Sequence, residues 1–286
     1  MREWTVDDAA SRIAVPGADA DKYARGVLGA VVGSERYPGA AVLGVEAAHR
    51  TGIGMVRLVS ATRAEELVLA RRPEVVLGDG RCDAWLIGSG QDASLRTREE
   101  RAALLGALRS GAPVVIDAGA LDLLADARGP VVATPHHGEL ARLLAARGHA
   151  VDAAGVGADT ARWAVEAARA TGAVVLAKGA RTLVASPDGA VIAPPETPHW
   201  LATAGTGDVL AGILGALVAT HADAVGDDAA LLAELAATAA TLHGLAAERA
   251  SRGASGEPGG PGGPGGPIAA LDVAAALPAT IAALLA

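Results

Sequence analysis

The sequence predicts an α/β protein with a mostly parallel central sheet, and three observations support this fold class. Short runs of Val, Ile and Leu alternate with longer Ala- and Leu-rich stretches of helical periodicity. Most of the short runs are uniformly apolar, which is typical of strands that are covered by helices on both faces. Phe is absent and aromatic residues form only 2% of the chain, so the core must consist of Ala, Val, Leu and Ile.

The 286 residues are predicted to form one domain over 1–286. Strands are predicted at 27–33, 54–60, 74–78, 84–88, 113–118, 130–135, 173–179 and 182–186. Helices are predicted at 39–51, 62–71, 96–110, 137–146, 157–171, 207–220, 226–250 and 268–285. The segment GEPGGPGGPGGP at 256–267 is predicted to be a flexible surface loop, because its triplets are too few for a collagen-like helix.

Composition excludes several classes of protein. The net charge is −8 and no cluster of Lys and Arg stands out, which argues against nucleic-acid binding. Cys82 is the single cysteine, so an intrachain disulfide and a cysteine-based metal site are excluded. The N-terminus lacks an apolar run, and the apolar tail contains Asp272 and Pro278. A packed terminal helix is therefore favoured over a membrane span, and the cytoplasm is the expected compartment.

A carboxylate follows two glycines at the start of a predicted helix, in the stretch LATAGTGDVLAGIL at 201–214. Glycines permit a tight turn, and the first amides of a helix have no internal acceptor and attract anions. The sequence therefore predicts an anion hole at Gly205, Thr206 and Gly207. Asp208 beside it is a candidate base for a hydroxyl that attacks phosphorus. The alternative is that Asp208 only caps the helix.

The stretch AKGARTLVASPDG at 177–189 contains a strand end, a turn and a second strand. Lys178 is a candidate contact for a nucleotide phosphate, and Thr182 with the backbone of the turn could hydrogen-bond the same ligand. The alternative is an ordinary hairpin with a solvent-exposed lysine.

Two adjacent histidines follow a predicted strand in VVATPHHGELARLL at 131–144. His136 and His137 are predicted to point apart, as sequence neighbours usually do, and no third ligand is evident, so a zinc site is rejected. His136 is a candidate contact for a polar ligand. Glu139 could reach a magnesium ion through water, or simply favour the helix N-terminus.

Small residues also follow two earlier strands, with Gly39 and Ala40 opening a helix in VVGSERYPGAAVL and Gly90 ending the turn after AWLI. These stretches match neither a Walker A loop nor a Rossmann fingerprint, and no hydrolase triad is recognisable. Most of these motifs lie after a strand and before a helix. Ligands of open α/β sheets bind beyond the carboxyl ends of the strands, so we expect the motifs to form one site.

The order of the motifs resembles the ADP-dependent NAD(P)H-hydrate dehydratases of the ribokinase-like superfamily. TAGTGDVLAGIL alone is typical of ribokinase-like proteins in general, whereas VVIDAGAL, TPHHGE and KGARTLVASPDG in this order are more specific. GSERYPGAAVL, HRTGIGMVRL and LDVAAALP extend the similarity over nearly the whole chain from Lys22 onward. The resemblance implies a ribokinase-like three-layer α/β/α fold.

The resemblance also implies a reaction. ADP, or ATP in some members, phosphorylates the 6-hydroxyl of hydrated NADH or NADPH, and phosphate then leaves to restore the reduced cofactor. Magnesium would accompany the phosphates, and homotetramers are usual in the family. Asp208 would be the base and contact the substrate, together with Ala40, Gly90 and His136. The adenine nucleotide would be held by Gly207 and the turn Lys178, Gly179, Ala180, Arg181 and Thr182.

Two departures from the family pattern affect these expectations. The family commonly has proline where His137 stands, and we expect little effect because His136 and Glu139 remain. Many relatives have a fused epimerase domain before the first motif, and this chain begins too close to that motif for one. We therefore expect action on the S epimer only, with a separate epimerase as functional partner.

Two other functions remain open at this stage. A small-molecule kinase of the same superfamily, acting on a thiazole or pyrimidine alcohol, would use Asp208 in the same way. A nucleotide-binding regulator without activity is disfavoured, because a binder needs no base.

Overall fold

The computed structural model describes residues 1–226, 228–252 and 265–286, and their centre is one ten-stranded sheet. Strands β1 to β10 are, in chain order, Arg2–Glu3, Val27–Val31, Met55–Leu58, Val76–Leu77, Ala84–Ile87, Val114–Ile116, Val131–Ala133, Val174–Ala177, Leu183–Ala185 and Val191–Ala193. Their order across the sheet is β1-β10-β9-β8-β7-β6-β5-β2-β3-β4. Only β9, within these ranges, runs antiparallel to its neighbours, so the predicted mostly parallel sheet is confirmed.

Helices cover both faces of the sheet. In the described ranges, α1 to α11 are Val6–Ala10, Gly39–Thr51, Thr62–Arg71, Arg98–Arg109, His137–Ala145, Ala153–Ala158, Thr160–Thr171, Thr206–Thr220, Ala222–Val225, Ala229–Ser251 and Ala270–Leu284. Helices α2, α8, α10 and α11 pack together on one face, and α4, α5 and α7 lie on the other. This is the expected three-layer α/β/α architecture.

Burial on both faces explains the uniformly apolar strands. In β5, Ala84 and Leu86 join the core beneath α2 and α8, whereas Trp85 and Ile87 join the core beneath α4. All four are buried, so neither face of this strand tolerates polar residues.

The eight predicted strands are all present, and β1 and β10 are additional. Both are only two or three residues long, too short for a periodic signal. The helix predicted at 157–171 is divided into α6 and α7 at Asp159, whose side chain caps α7. A 3₁₀ helix at Ala118–Asp126 was also not predicted.

The C-terminal tail forms α11, which packs against α2 and α10 as predicted for a terminal helix. Among the described helices, α10 alone is long and apolar enough to span a membrane, but 72% of its most apolar window is buried within the protein. Residues 256–264 of the predicted Gly- and Pro-rich loop lie outside the described residues.

The chain reverses its direction across the sheet between β2 and β5. From β2 the chain moves outward to β4, and it then returns to β5 on the other side of β2. The carboxyl ends of β2 and β5 therefore border a topological switch point, where open α/β sheets bind ligands. The amide of Gly33 donates to Ser89 O (2.7 Å) and Ser34 Oγ donates to Gly90 O (2.8 Å), which joins the two loops.

Helix α8 approaches α2 so closely that there is no room for a side chain at Gly212. A Cβ at this position would overlap the carbonyl of Gly44 and lie 3.0 Å from Ala47 Cβ. We expect Gly212→Ala to lower the free energy of unfolding by about 1–3 kcal/mol, because the two helices must separate.

Gly106 provides the matched control, because it lies in α4 with nothing within 4 Å of an added Cβ. Gly106→Ala is expected to raise the free energy of unfolding by about 0.5–1 kcal/mol through helix propensity alone. Urea titrations of both variants measure the difference. Equal effects in the two variants would contradict the close approach of α2 and α8.

Candidate active site

The start of α8 has the geometry of an anion site. Gly205 precedes the helix with φ +89°, and a side chain there would meet Leu43. The first intrahelical bond joins Val209 N to Gly205 O, so the amides of Thr206, Gly207 and Asp208 have no helical acceptor. Their N–H groups and the helix dipole together favour a bound anion.

Asp208 does not cap α8. It is the third residue of the helix, and among the described residues no group donates a hydrogen bond to its carboxylate. Burial raises the pKa of Asp208 to about 7, with a further contribution from the nearby Asp117 charge, although Lys178 acts in the opposite direction. A carboxyl group with this pKa exchanges a proton readily near neutral pH, as a general base must.

Asp117 and Lys178 form a buried ion pair at the carboxyl ends of β6 and β8. Lys178 Nζ lies 2.7 Å from Asp117 Oδ1, and Ser89 Oγ and Thr134 Oγ1 donate to the same carboxylate at 2.9 and 2.7 Å. Although burial acts in the opposite direction, these donors and the Lys178 charge hold the pKa of Asp117 below its ordinary value. Lys178 is thus not the solvent-exposed lysine of an ordinary hairpin.

The ammonium of Lys178 also lies close to the start of α8. A Cβ atom added at Gly207 would lie 3.7 Å from Lys178 Nζ. Burial lowers the pKa of Lys178, but Asp117, Glu139 and Asp208 outweigh it and raise the pKa above its ordinary value. Lys178 is therefore protonated beside the free amides of α8. The positive charge and the amides can act on one phosphate group.

Two cavities lie near this ion pair. The α8 cavity, of about 550 Å³, lies over the start of α8 and is lined by Lys178, Gly179, Ala180, Thr182, Thr206, Gly207, Leu210, Ala240 and His243, among others. The α5 cavity, of about 690 Å³, is lined by Tyr37, Gln91, Ala118, Gly119, Glu139, Arg142 and Arg147, among others. Lys178 lines the first cavity, and the second is lined by Ala118 and Gly119, which directly follow Asp117 in the chain.

Most of the predicted nucleotide residues line the α8 cavity. Lys178, Gly179, Ala180, Thr182 and Gly207 all do so, with Thr206 of the predicted anion hole. Arg181 is not part of the lining, because its guanidinium extends to Glu3 at 3.1 Å.

The predicted substrate residues lie beside the α5 cavity rather than in its lining. Ala40 and Gly90 contact each other at the switch point, where φ +68° at Gly90 favours glycine. His136 is the N-cap of α5, and its Nδ1 accepts from Gly138 N (3.0 Å) and Glu139 N (3.3 Å). Its side chain is nevertheless 56% exposed, and its Nε2 lies 3.4 Å from Glu139 Oε1.

The rings of His136 and His137 diverge. His137 Nε2 lies 3.3 Å from Thr160 Oγ1, and this ring packs against Gly179 of the nucleotide turn. Over residues 1–226, 228–252 and 265–286, no group of three His, Cys, Asp or Glu residues could hold a metal ion.

Sequence reasoning missed Asp117 and His243. Asp117 stands at the strand end of VVIDAGAL, and the unusual φ of +39° at Ala118 shows how sharply the chain turns after it. A charged residue that directly follows an apolar strand was the available signal. His243 lies inside the apolar helix α10, where burial lowers its pKa to about 4 and keeps the ring neutral. No local pattern marks it.

The fold is that of a ribokinase-like α/β protein. A family model described as NAD(P)H-hydrate dehydratase matches residues 28–256. The chain belongs to this family.

Curated relatives agree with the family. The bifunctional NAD(P)H-hydrate repair enzyme Nnr of Mycobacterium tuberculosis is 43% identical over 226 residues, which cover 74% of this chain and 45% of that protein. The chain thus spans about half the length of such bifunctional relatives. The ADP-dependent (S)-NAD(P)H-hydrate dehydratase of Xanthomonas campestris is 37% identical over 249 residues, covering 78% of this chain and 83% of that protein.

Among solved structures, the ADP/ATP-dependent NAD(P)H-hydrate dehydratase of Bacillus subtilis, co-crystallized with ATP/Mg²⁺, has a TM-score of 0.81 and 26% identity. The alignment covers 99% of this chain and 98% of that one.

Proposed function

We propose that this protein uses ADP or ATP to dehydrate the S epimer of hydrated NADH and NADPH, a lyase reaction that repairs nicotinamide nucleotides. The observation that supports it most directly is the ion pair of Asp117 and Lys178, which borders both cavities and lies near Asp208 with its raised pKa. The α8 cavity would hold the adenine nucleotide and the α5 cavity the hydrated dinucleotide.

Asp208 would take the proton of the substrate's 6-hydroxyl while the oxygen of that hydroxyl attacks the terminal phosphorus of the nucleotide. The bond between that phosphorus and the bridging oxygen breaks, which releases AMP from ADP or ADP from ATP. The C6–O bond then breaks as the lone pair of the ring nitrogen forms a C=N bond, and phosphate leaves. Loss of a proton from C5 restores the 5,6 double bond. The free amides of α8 and Lys178 would stabilise the charge on the transferred phosphoryl group.

The residues fit a magnesium ion that arrives with the nucleotide. Such an ion takes most of its ligands from phosphate oxygens and water, and the described residues contain no complete protein site of their own. Glu139 Oε2 accepts from His136 N at 2.9 Å, and Glu139 would reach the ion through water. When bound, the ion neutralises phosphate charge.

Three further features belong to the same proposal. The S epimer would be supplied by an epimerase, which is consistent with the bifunctional relatives. A homotetramer, implied by the resemblance to the family, and a cytoplasmic location, expected from the sequence, complete it.

The test follows the absorbance of the dihydronicotinamide band after hydrated NADH or NADPH is mixed with protein, magnesium and either ADP or ATP. Recovery that requires nucleotide supports the proposal and ranks the two donors. No recovery with either donor, from folded protein that binds nucleotide, contradicts it and favours a kinase for a small alcohol.

The pH dependence of kcat/KM should follow the ionisation of Asp208. The base must be deprotonated, so we expect kcat/KM to rise about tenfold per pH unit below its pKa and to level off above about 7. Initial rates from pH 5 to 9 measure the profile. A rate that is independent of pH over this range, in protein whose fold is unchanged, would contradict the role of Asp208 as base.

A further inference from the structure

The α5 cavity is larger than one hydroxylated ring requires. Its volume of about 690 Å³ lies in the range of sites that enclose a whole drug-sized molecule. It extends from Ala118 and Gly119, next to the ion pair, to Arg142 and Arg147 around the C-terminal end of α5. A ligand whose reactive ring lies at Ala118 would thus place its distant end against these arginines.

The carboxylates that line this cavity already form an ion pair or hydrogen bonds within the protein. Asp122 pairs with Arg96 at 2.7 Å, and Asp92 accepts from Ser94 N at 2.9 Å. Glu139 accepts from the backbone at the start of α5.

The two arginines of the cavity are, by contrast, available. Within the described residues neither Arg142 nor Arg147 forms an ion pair, and Arg147 Nη1 only donates to Leu143 O at 3.2 Å. The overall charge of the chain is −8, yet the end of this cavity at the C-terminal part of α5 carries the two positive charges of Arg142 and Arg147. Arginines without carboxylate partners at one end of a large cavity suit an anionic ligand.

We infer that Arg142 and Arg147 bind phosphate groups of the dinucleotide substrate. The inference rests on the proposed function and names which part of the α5 cavity recognises the substrate. Guanidinium groups bind phosphate oxygens through paired, charge-assisted hydrogen bonds. The phosphates can be the pyrophosphate, which both hydrated cofactors contain, or the 2′-phosphate, which only hydrated NADPH contains.

The experiment compares Arg142→Gln and Arg147→Gln with the wild type, using hydrated NADH and hydrated NADPH as substrates. Each variant is expected to raise KM roughly 10- to 100-fold while kcat changes little, because the lost contact is the same in ground and transition states. Equal increases for both substrates assign the arginines to the pyrophosphate. An increase for hydrated NADPH alone assigns them to the 2′-phosphate.

Arg101→Gln is the matched control, since Arg101 is an exposed residue of α4 outside the cavity and its loss changes the net charge equally. The inference is overturned if KM for both substrates stays within about twofold of wild type in both cavity variants, or if only KM for the nucleotide rises.

A binding measurement separates this inference from the proposed function. ADP-ribose and its 2′-phosphate are titrated calorimetrically into wild type and variants, with the α8 cavity filled by a non-hydrolysable ATP analogue. Weaker binding to the two cavity variants than to Arg101→Gln supports the inference even if hydrated cofactors are not turned over. Equal binding to all variants overturns it, whether or not the wild type is active.

Discussion

Replacing Asp208 by Asn is expected to lower kcat by roughly 10²- to 10⁴-fold, the usual contribution of a positioned general base. The amide keeps the size of the side chain but cannot accept the hydroxyl proton. Steady-state rates with saturating nucleotide at pH 8 measure the effect, where the wild-type carboxyl group, with its pKa of about 7, is ionised.

The melting temperature of Asp208→Asn distinguishes this loss of activity from misfolding. Burial raises the pKa of Asp208, so the native state binds its proton more tightly than the unfolded chain does. The free energy of unfolding contributed by this group therefore decreases as pH rises from about 4 to 7. Asp208→Asn removes the buried charge, and we expect a melting temperature at pH 8 equal to or above that of wild type. A variant that retains more than roughly a tenth of wild-type turnover would contradict the assignment.

Replacing Asp117 by Asn is expected to lower the free energy of unfolding by about 3 kcal/mol at neutral pH. The amide can still accept from Ser89 and Thr134, but it leaves the buried ammonium of Lys178 without its carboxylate. Removing one partner of a buried ion pair lowers the free energy of unfolding by about 3–5 kcal/mol. We expect the lower end of this range here, because the nearby Asp208 charge partly compensates the ammonium of Lys178. Urea titration at pH 7 measures the difference.

The double variant Asp117→Asn with Lys178→Met tests the cause. It removes both charges, so its stability should lie closer to wild type than that of the single variant. The single-variant effect should also fade at acid pH, because the lowered pKa of Asp117 stabilises the fold only while the carboxyl group is ionised. A double variant less stable than the single one would contradict the unpaired charge of Lys178 as the cause of the loss.

The sequence predicted the fold because its signals are local. Uniformly apolar runs identified eight strands, and helix periodicity placed α2 and α3 at their observed bounds. The strand-end rule placed Asp208 and the turn at 178–182 in a common site, and the structure brings Lys178 and Gly207 together.

Strands β1 and β10, at one edge of the sheet, were not predicted because they have no such local signal. Both are short; β1 gains its pairing from a distant partner, as Arg2 with Ile192 shows, and β10 lies between β1 and β9. The division of the predicted helix at 157–171 has a different cause, because local capping by Asp159 overrides the periodic pattern.

The amino-acid sequence by itself determined the class of fold and the family, and it predicted Asp208 as the base, because strand and helix patterns and the order of motifs are properties of neighbouring residues. Only the tertiary structure decided that Lys178 pairs with Asp117, 61 positions away. It likewise decided that His136 caps α5 and that Arg142 and Arg147 border a cavity. Burial, ion pairing and pKa depend on which side chains meet across the sheet, and that is set only when the strand ends come together.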